Sequence, residues 1–140
     1  LFVLVRTSNP SAEEFQSLAT QGGHSLAQEV ARAVHGWGEE VSPGTAYGLV
    51  GAVVGATHPG EIAGFRELMP RAWLLLPGVG AQGASVADVR AAFDDEGFGG
   101  LVAQSRGILQ AFDPQDGTWR QRVEEAAADF QQDTLEVSRP

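Results

Sequence analysis

The sequence predicts an α/β fold in which parallel strands alternate with helices. Several short runs are almost continuously apolar, which is typical of strands that are buried on both faces of a parallel sheet. Patterns with helical spacing separate these runs, and repeated alternation of this kind favours parallel strands joined by right-handed crossovers. The predicted order is β-α-β-α-β-α-β-α.

Four segments have the composition of buried strands and are each followed by small or polar residues: residues 1–5, 47–54, 72–76 and 100–102 with its flanks. Apolar residues at spacings of three and four predict a helix after each strand. The predicted helices are residues 26–37 with Ser25 as N-cap, the segment between Pro59 and Pro70, residues 86–93 with Ser85 as N-cap, and a last helix that Asp113-Pro114 introduces and that continues to Phe130.

Length and charge limit the size and the partners of the chain. Residues 1–140 are enough for one α/β unit, whereas a complete eight-stranded α/β barrel needs about 200 residues or more. The formal net charge is −9, which argues against a nucleic-acid surface and a polybasic membrane surface. The longest apolar stretch, residues 48–56, is much shorter than a membrane span of about 20 residues.

The composition also removes several kinds of chemistry. Cysteine is absent, which excludes disulfides, thiolate zinc sites and a Cys nucleophile, and which suits a cytoplasmic protein. All 9 basic residues are Arg, so the chain contains no Lys. The chain starts inside an apolar run and without Met, from which we expect it to be part of a longer polypeptide.

The candidate functional residues follow the strands, at the edge of the sheet where α/β folds bind ligands. Thr7-Ser8-Asn9-Pro10 follows the first strand and offers hydroxyl and amide groups to a polar ring or a sugar, although an ordinary turn has the same composition. Thr57 and His58 follow the second strand. No ligand spacing links His58 to His24 or His35, so a loop histidine is the favoured interpretation.

The third strand leads into Pro77-Gly78-Val79-Gly80-Ala81-Gln82-Gly83. This segment contains Gly-x-Gly-x-x-Gly between a strand and a helix. A dinucleotide site would also need an acidic residue about 20 positions later, where the chain reads Gln104-Ser105-Arg106. Closely spaced glycines let backbone N–H groups approach an anion, although a tight turn without a ligand uses the same residues.

Ser105 and Arg106 follow the fourth strand. A guanidinium at this position suits a phosphate group, and the alternative is a surface Arg paired with a carboxylate. The loops after the last two strands of α/β barrels frequently form a phosphate site. Because the Gly-rich segment and Arg106 follow the last two predicted strands, the sequence predicts a site for a phosphate or a phosphate ester.

Together the strand-end motifs resemble those of the orotidine 5′-phosphate decarboxylase family, in the group of bacterial forms with a Thr-Ser-Asn-Pro segment. The resemblance covers essentially the whole chain. It implies an eight-stranded (β/α)8 TIM barrel, of which this chain is the C-terminal half with about four βα units, and a homodimer. The implied activity is the conversion of orotidine 5′-phosphate to UMP and CO₂ in pyrimidine biosynthesis, with neither metal nor cofactor. The motifs that carry the resemblance are Thr7-Ser8-Asn9-Pro10, Val54-Gly55-Ala56-Thr57-x-Pro59, Pro77-Gly78-x-Gly80-Ala81-Gln82-Gly83 and Ser105-Arg106-Gly107.

The resemblance also implies roles for individual residues. Ser8 matches a residue that hydrogen-bonds the pyrimidine edge, and Pro77 lies at the pyrimidine end of its motif. Gln82 and Arg106 match side chains that bind the phosphate, with help from the backbone N–H groups of Ser105 and Arg106. The implied substrate-binding residues are Ser8, Thr57, Pro77, Gln82, Gly83, Ser105 and Arg106.

One departure from the family pattern is large. The catalytic Asp-x-Lys-x-x-Asp motif of the family belongs to the N-terminal half, and this chain has no Lys. We therefore expect no catalytic residue in this chain, weak phosphate binding at best, and no catalysis without the missing half. Two alternatives stay open: another phosphate-binding barrel enzyme, of sugar-phosphate or histidine-pathway type, and a non-catalytic half-barrel that acts as a binding module.

Overall fold

Four parallel strands form a single sheet in a computed structural model, which describes residues 1–115 and 117–139. The strands pair in chain order, and each overlaps a segment that the sequence predicts as a strand. The alternating α/β class is therefore confirmed. The strands are β1 (Phe2–Arg6), β2 (Gly51–Val54), β3 (Leu74–Pro77) and β4 (Gly100–Ala103).

Helices follow each strand, and two of them differ from the prediction. Residues 86–92 form a 3-10 helix rather than an α-helix, with i→i+3 bonds such as Asp88 N–H to Ser85 O at 3.2 Å. The last helix begins at Trp119, where its apolar pattern begins, but continues past Phe130 to Ser138. The elements are α1 (Glu13–Gln16), α2 (Leu26–Val41), α3 (Pro59–Leu68), α4 (Arg106–Leu109), α5 (Trp119–Ser138) and the 3-10 helices Pro10–Ala12 and Val86–Ala92.

Local chemistry explains where α2 begins. The Ser25 hydroxyl accepts the Gln28 N–H at 3.2 Å, and the Gln28 side chain accepts the Ser25 N–H at 2.9 Å. This reciprocal capping box satisfies two N–H groups that a helix start would otherwise leave unpaired. The predicted N-cap is thus confirmed.

Nowhere in residues 1–115 and 117–139 is a helix both long enough and apolar enough for a membrane span.

The helices cover one face of the sheet and leave part of the other face open. On the covered face Ala52 and Leu74 pair with each other and are fully buried. On the opposite face, Leu4 in β1 is 65% exposed and Leu101 in β4 is 40% exposed. An exposed apolar sheet face of this kind is a surface suited to packing against further polypeptide.

Arg66 connects the elements at the edge of the sheet where the strands begin. Its guanidinium donates to the carbonyl oxygens of Met69 and Ala72 at 2.9 Å, of Gly99 at 2.9 Å and of Ala92 at 3.0 Å. Burial lowers the pKa of this guanidinium. One side chain thereby joins the end of α3, the start of β3, the Val86–Ala92 helix and the start of β4.

Replacing Arg66 by Met should lower the free energy of unfolding by about 3 kcal/mol or more, because several carbonyl oxygens would lose their donor. Urea unfolding of the protein that contains this chain measures the change. Arg122→Met is the matched control: it removes an exposed i,i+3 pair with Glu125 and should cost within about 0.5 kcal/mol. Equal losses for the two variants would contradict the structural role of Arg66.

Candidate functional site

The four strand ends lie along one edge of the sheet. Backbone hydrogen bonds continue past the strands, from Gly55 N–H to Arg6 O at 2.6 Å and from Ala56 N–H to Pro77 O at 2.8 Å. At the last pair of strands, Pro77 is opposite Ala103. The segments that follow the four strands are therefore neighbours in space.

Gly78 is the point where the predicted residues approach one another. It has a φ of +107°, and a Cβ placed on it would lie 2.8 Å from Gln82 Oε1, 3.4 Å from Thr57 Cγ2 and 3.6 Å from Ser8 Cβ. A side chain at this position would be strained by the backbone and would collide with Gln82. The absence of a side chain at Gly78 therefore leaves room for the Gln82 amide, while Thr57 and Ser8 border the same position at ordinary contact distance.

Gln82 and Arg106 line the same pocket, which has a volume of about 180 Å³. A neighbouring pocket of about 270 Å³ shares Gln82 and includes Thr57 and Gly83. The first pocket therefore joins the loop after β3 to the turn after β4. Its lining residues are Pro77, Gly78, Val79, Ala81, Gln82, Ala103, Ser105 and Arg106.

Arg106 is exposed and is the first residue of α4. It forms no ion pair with any residue in 1–115 and 117–139, whereas Arg6, Arg32, Arg71 and Arg122 each pair with a carboxylate. The alternative of a surface Arg held by a carboxylate therefore does not describe this arrangement. Arg106 thus contributes an exposed positive charge to the lining of the pocket.

The glycines of the third motif shape its loop. Gly80 and Gly83 have φ values of +77° and +95°. The Gly80 N–H donates to Ala84 O and the Gly83 N–H to Gly80 O, both at 2.8 Å. These two N–H groups are therefore used inside the turn and are not free to bind an anion. The Gln82 side chain of this loop lines the pocket.

Thr57 and His58 follow β2 but have different surroundings. The Thr57 hydroxyl is buried beside Gly78 without a hydrogen-bond partner in the described part of the chain. His58 Nδ1 lies 3.4 Å from Arg6 Nη2 and 3.8 Å from Glu61 Oε1, where α3 begins. His58 is thus part of an ion-pair cluster, and the interpretation of it as a loop histidine is consistent with this position.

Arg6 is the centre of that cluster and is only 1% exposed. It pairs with Glu61 at 3.0 Å and contacts Glu13. Burial alone would lower the pKa of its guanidinium, but the bonds to Glu61 and Glu13 outweigh burial and raise it. Ligand atoms of Glu13, His58 and Glu61 lie within 4.8 Å of one another. A cation, Arg6 itself, already compensates these carboxylates, so the group is an ion-pair network.

The Arg6 cluster supports the segment that carries Ser8. Glu13 and Gln16 belong to α1, and Gln16 accepts the Thr7 N–H at 2.9 Å and donates to the Thr7 hydroxyl at 3.0 Å. Two residues of α1 therefore hold the chain where β1 ends: Glu13 pairs with Arg6, and Gln16 bonds to Thr7. Sequence reasoning missed this role of Arg6, although a charged residue at the end of an apolar strand is a detectable signal.

Gln104, directly after β4, was also missed. Its side-chain amide lies against Gly80 of the loop after β3 and against Gly107 in α4. Nothing in the sequence near Gln104 indicates this contact, because Gly80 is more than 20 positions away.

Comparison with known proteins gives one consistent result. The orotidine 5′-phosphate decarboxylase / HUMPS family model matches residues 1–118. Over 112 residues the chain is 46% identical to orotidine 5′-phosphate decarboxylase of Deinococcus radiodurans, covering 79% of this chain and 39% of that protein. Over 141 residues it is 33% identical to the decarboxylase of Clostridium kluyveri, covering 99% of this chain and 48% of that protein.

A solved structure agrees with these relatives. The crystal structure of a putative orotidine 5′-phosphate decarboxylase from Streptomyces avermitilis superposes with a TM-score of 0.75 at 31% identity, covering 98% of this chain and 45% of that one. The chain spans less than half the length of each of these three proteins. Its four-stranded sheet and helices correspond to part of their α/β barrel. By sequence and by fold, this chain belongs to the orotidine 5′-phosphate decarboxylase / HUMPS family.

Proposed function

We propose that the complete protein containing this chain converts orotidine 5′-phosphate to UMP and CO₂, and that this chain supplies the side of the site that binds the phosphate and the pyrimidine edge. The observation that carries the proposal is that Gln82 and Arg106 line one pocket while Arg106 has no carboxylate partner in the described residues. A guanidinium and an amide at one pocket are suited to a phosphate dianion.

The pyrimidine end of the substrate would lie toward β1 and β2. Ser8 and Thr57 approach Gly78 from these two strand ends, and Pro77 precedes it in the chain. Among residues 1–115 and 117–139 the buried Thr57 hydroxyl has no hydrogen-bond partner, and a buried polar group of this kind favours a hydrogen bond to a bound molecule or water. The phosphate would then lie toward Gln82 and Arg106, with Ser105 beside it.

Binding the phosphate contributes to catalysis although it lies away from the bond that breaks. Energy from a remote, non-reacting group orders the reacting end of the substrate and lowers the barrier of the chemical step. The catalytic Lys and Asp groups would come from an N-terminal half of the barrel, which also covers the open face of the sheet. We further propose that the complete enzyme is a cytoplasmic homodimer that uses neither metal nor cofactor.

Arg106→Ala in the complete enzyme should lower kcat/KM for orotidine 5′-phosphate by about 2–5 kcal/mol of transition-state stabilisation, because the phosphate would lose its cationic partner. Steady-state kinetics measures this loss. Arg32→Ala removes the same charge from α2, where Arg32 pairs with exposed Glu29. It should leave kcat/KM nearly unchanged, and an unchanged value for Arg106→Ala would contradict the proposal.

The 140-residue chain alone should release no CO₂ from orotidine 5′-phosphate, because it has no Lys to protonate the carbanion that decarboxylation leaves. A radiometric assay of CO₂ release detects the reaction, with the Deinococcus radiodurans relative as the positive control. CO₂ release by the purified chain would show that catalysis here does not need the missing half.

Gly78→Ala should weaken UMP binding by the complete protein, because the positive φ of this position strains the new side chain and the added Cβ displaces the Gln82 amide. Isothermal titration calorimetry measures this change. The control is Gly23→Ala: Gly23 has a comparable φ of +79° but no neighbour within 4 Å of the added Cβ, so only backbone strain is introduced. Titration with ribulose 5-phosphate tests the alternative class, and tighter binding than UMP would favour a sugar-phosphate enzyme.

A further inference from the structure

We propose that Gln104 is a positioning residue that keeps the Gly-rich loop and the Ser105-Arg106 turn at the separation that phosphate binding requires. The proposal rests on the function proposed above and names a residue that neither the motifs nor the resemblance includes. Gln104 follows β4 directly and is partly buried.

The amide of Gln104 fills the space between the two segments. A Cβ on Gly80 would lie 2.3 Å from Gln104 Nε2, and a Cβ on Gly107 would lie 2.5 Å from Gln104 Cδ. Both distances are far below van der Waals contact. The amide therefore packs directly against two glycine backbones, and each glycine leaves the room that the amide occupies.

Gln104 contacts the backbones that carry the two phosphate-binding side chains, without lining the pocket itself. Gly80 is two positions before Gln82, and Gly107 is the residue after Arg106. A shift of either backbone changes the distance between Gln82 and Arg106. Gln104 would thus act as a spacer that sets the distance between Gln82 and Arg106.

The chemistry of the side chain fits this role. Gln is long enough to reach both backbones, and its amide is neutral. A carboxylate in the same place would put a negative charge beside a phosphate dianion and oppose its binding. Shortening the side chain would leave a gap into which the loop or the turn can move.

Gln104→Ala in the complete enzyme should lower kcat/KM for orotidine 5′-phosphate roughly ten- to a hundredfold, since small displacements of binding groups have effects of this size. The value for orotidine, which lacks the phosphate, should stay unchanged. Steady-state kinetics with both substrates measures the two effects. Equal losses for both substrates, or no loss for the phosphorylated one, would overturn the proposal.

Gln104→Met separates spacing from hydrogen bonding, because Met has a similar length and no amide. If Gln104 is a spacer, this variant should keep kcat/KM for orotidine 5′-phosphate within about threefold of the unmodified enzyme, as expected for a volume-conserving replacement. It also replaces Gln104→Ala as the test if the Ala variant does not fold. Impairment of Gln104→Met by tenfold or more would overturn the role as a spacer.

Gly107→Ala tests the contact from the opposite side. Gly107 does not have a positive φ, and the nearest atoms that its added Cβ meets are those of the Gln104 amide. Gly107→Ala should therefore displace Gln104 and reproduce the loss of Gln104→Ala. The two losses should not add when both changes are combined, because they act on one contact. Additive losses would contradict the contact.

Arg106→Ala separates failure of this inference from failure of the proposed function. If Arg106→Ala has no effect on kcat/KM for orotidine 5′-phosphate, the phosphate site itself is wrongly placed, and the inference fails with it. If Arg106→Ala lowers kcat/KM and Gln104→Ala does not, the proposed function stands and only the positioning role is overturned.

Discussion

The backbone hydrogen bonds from Gly55 to Arg6 and from Ala56 to Pro77 hold three strand ends at one edge of the sheet, and the pairing of Pro77 with Ala103 adds the fourth. Side chains that are far apart in the sequence meet only because of this parallel alignment. The same alignment brings the Gly-rich loop beside the turn that carries Arg106. The arrangement of the candidate site therefore depends on the pairing of the strands.

Two partly or fully buried arginines stabilise opposite edges of the sheet by different means. Arg6, where β1 ends, is compensated by the carboxylates of Glu13 and Glu61, which raise its pKa. Arg66, at the edge where the strands begin, donates to backbone carbonyls, and burial lowers its pKa. Both charges are used by the fold, whereas Arg106 forms no ion pair with any residue that the structure describes.

Local signals in the sequence predicted much of the fold. The capping box of Ser25 and Gln28 and the apolar spacing of α2 depend on neighbouring residues, and the structure has both where they were predicted. The predicted α-helix after Ser85 was wrong, because residues 86–92 form a 3-10 helix. A segment of seven residues has few i→i+4 bonds to gain, so weak local preferences did not decide its helix type.

The sequence by itself determined the α/β class, the alternation of strands and helices along the chain, and the strand-end segments that carry the polar residues. Periodicity and turn chemistry, which predict these features, are local properties. Only the tertiary structure decided which residues share a pocket and that the Gly80 and Gly83 N–H groups are used inside their own turn. It alone also showed that no carboxylate in the described part of the chain pairs with Arg106. It also placed Gln104 between Gly80 and Gly107. The physical reason is that each of these facts depends on the distance between segments, which strand pairing sets and no local pattern encodes.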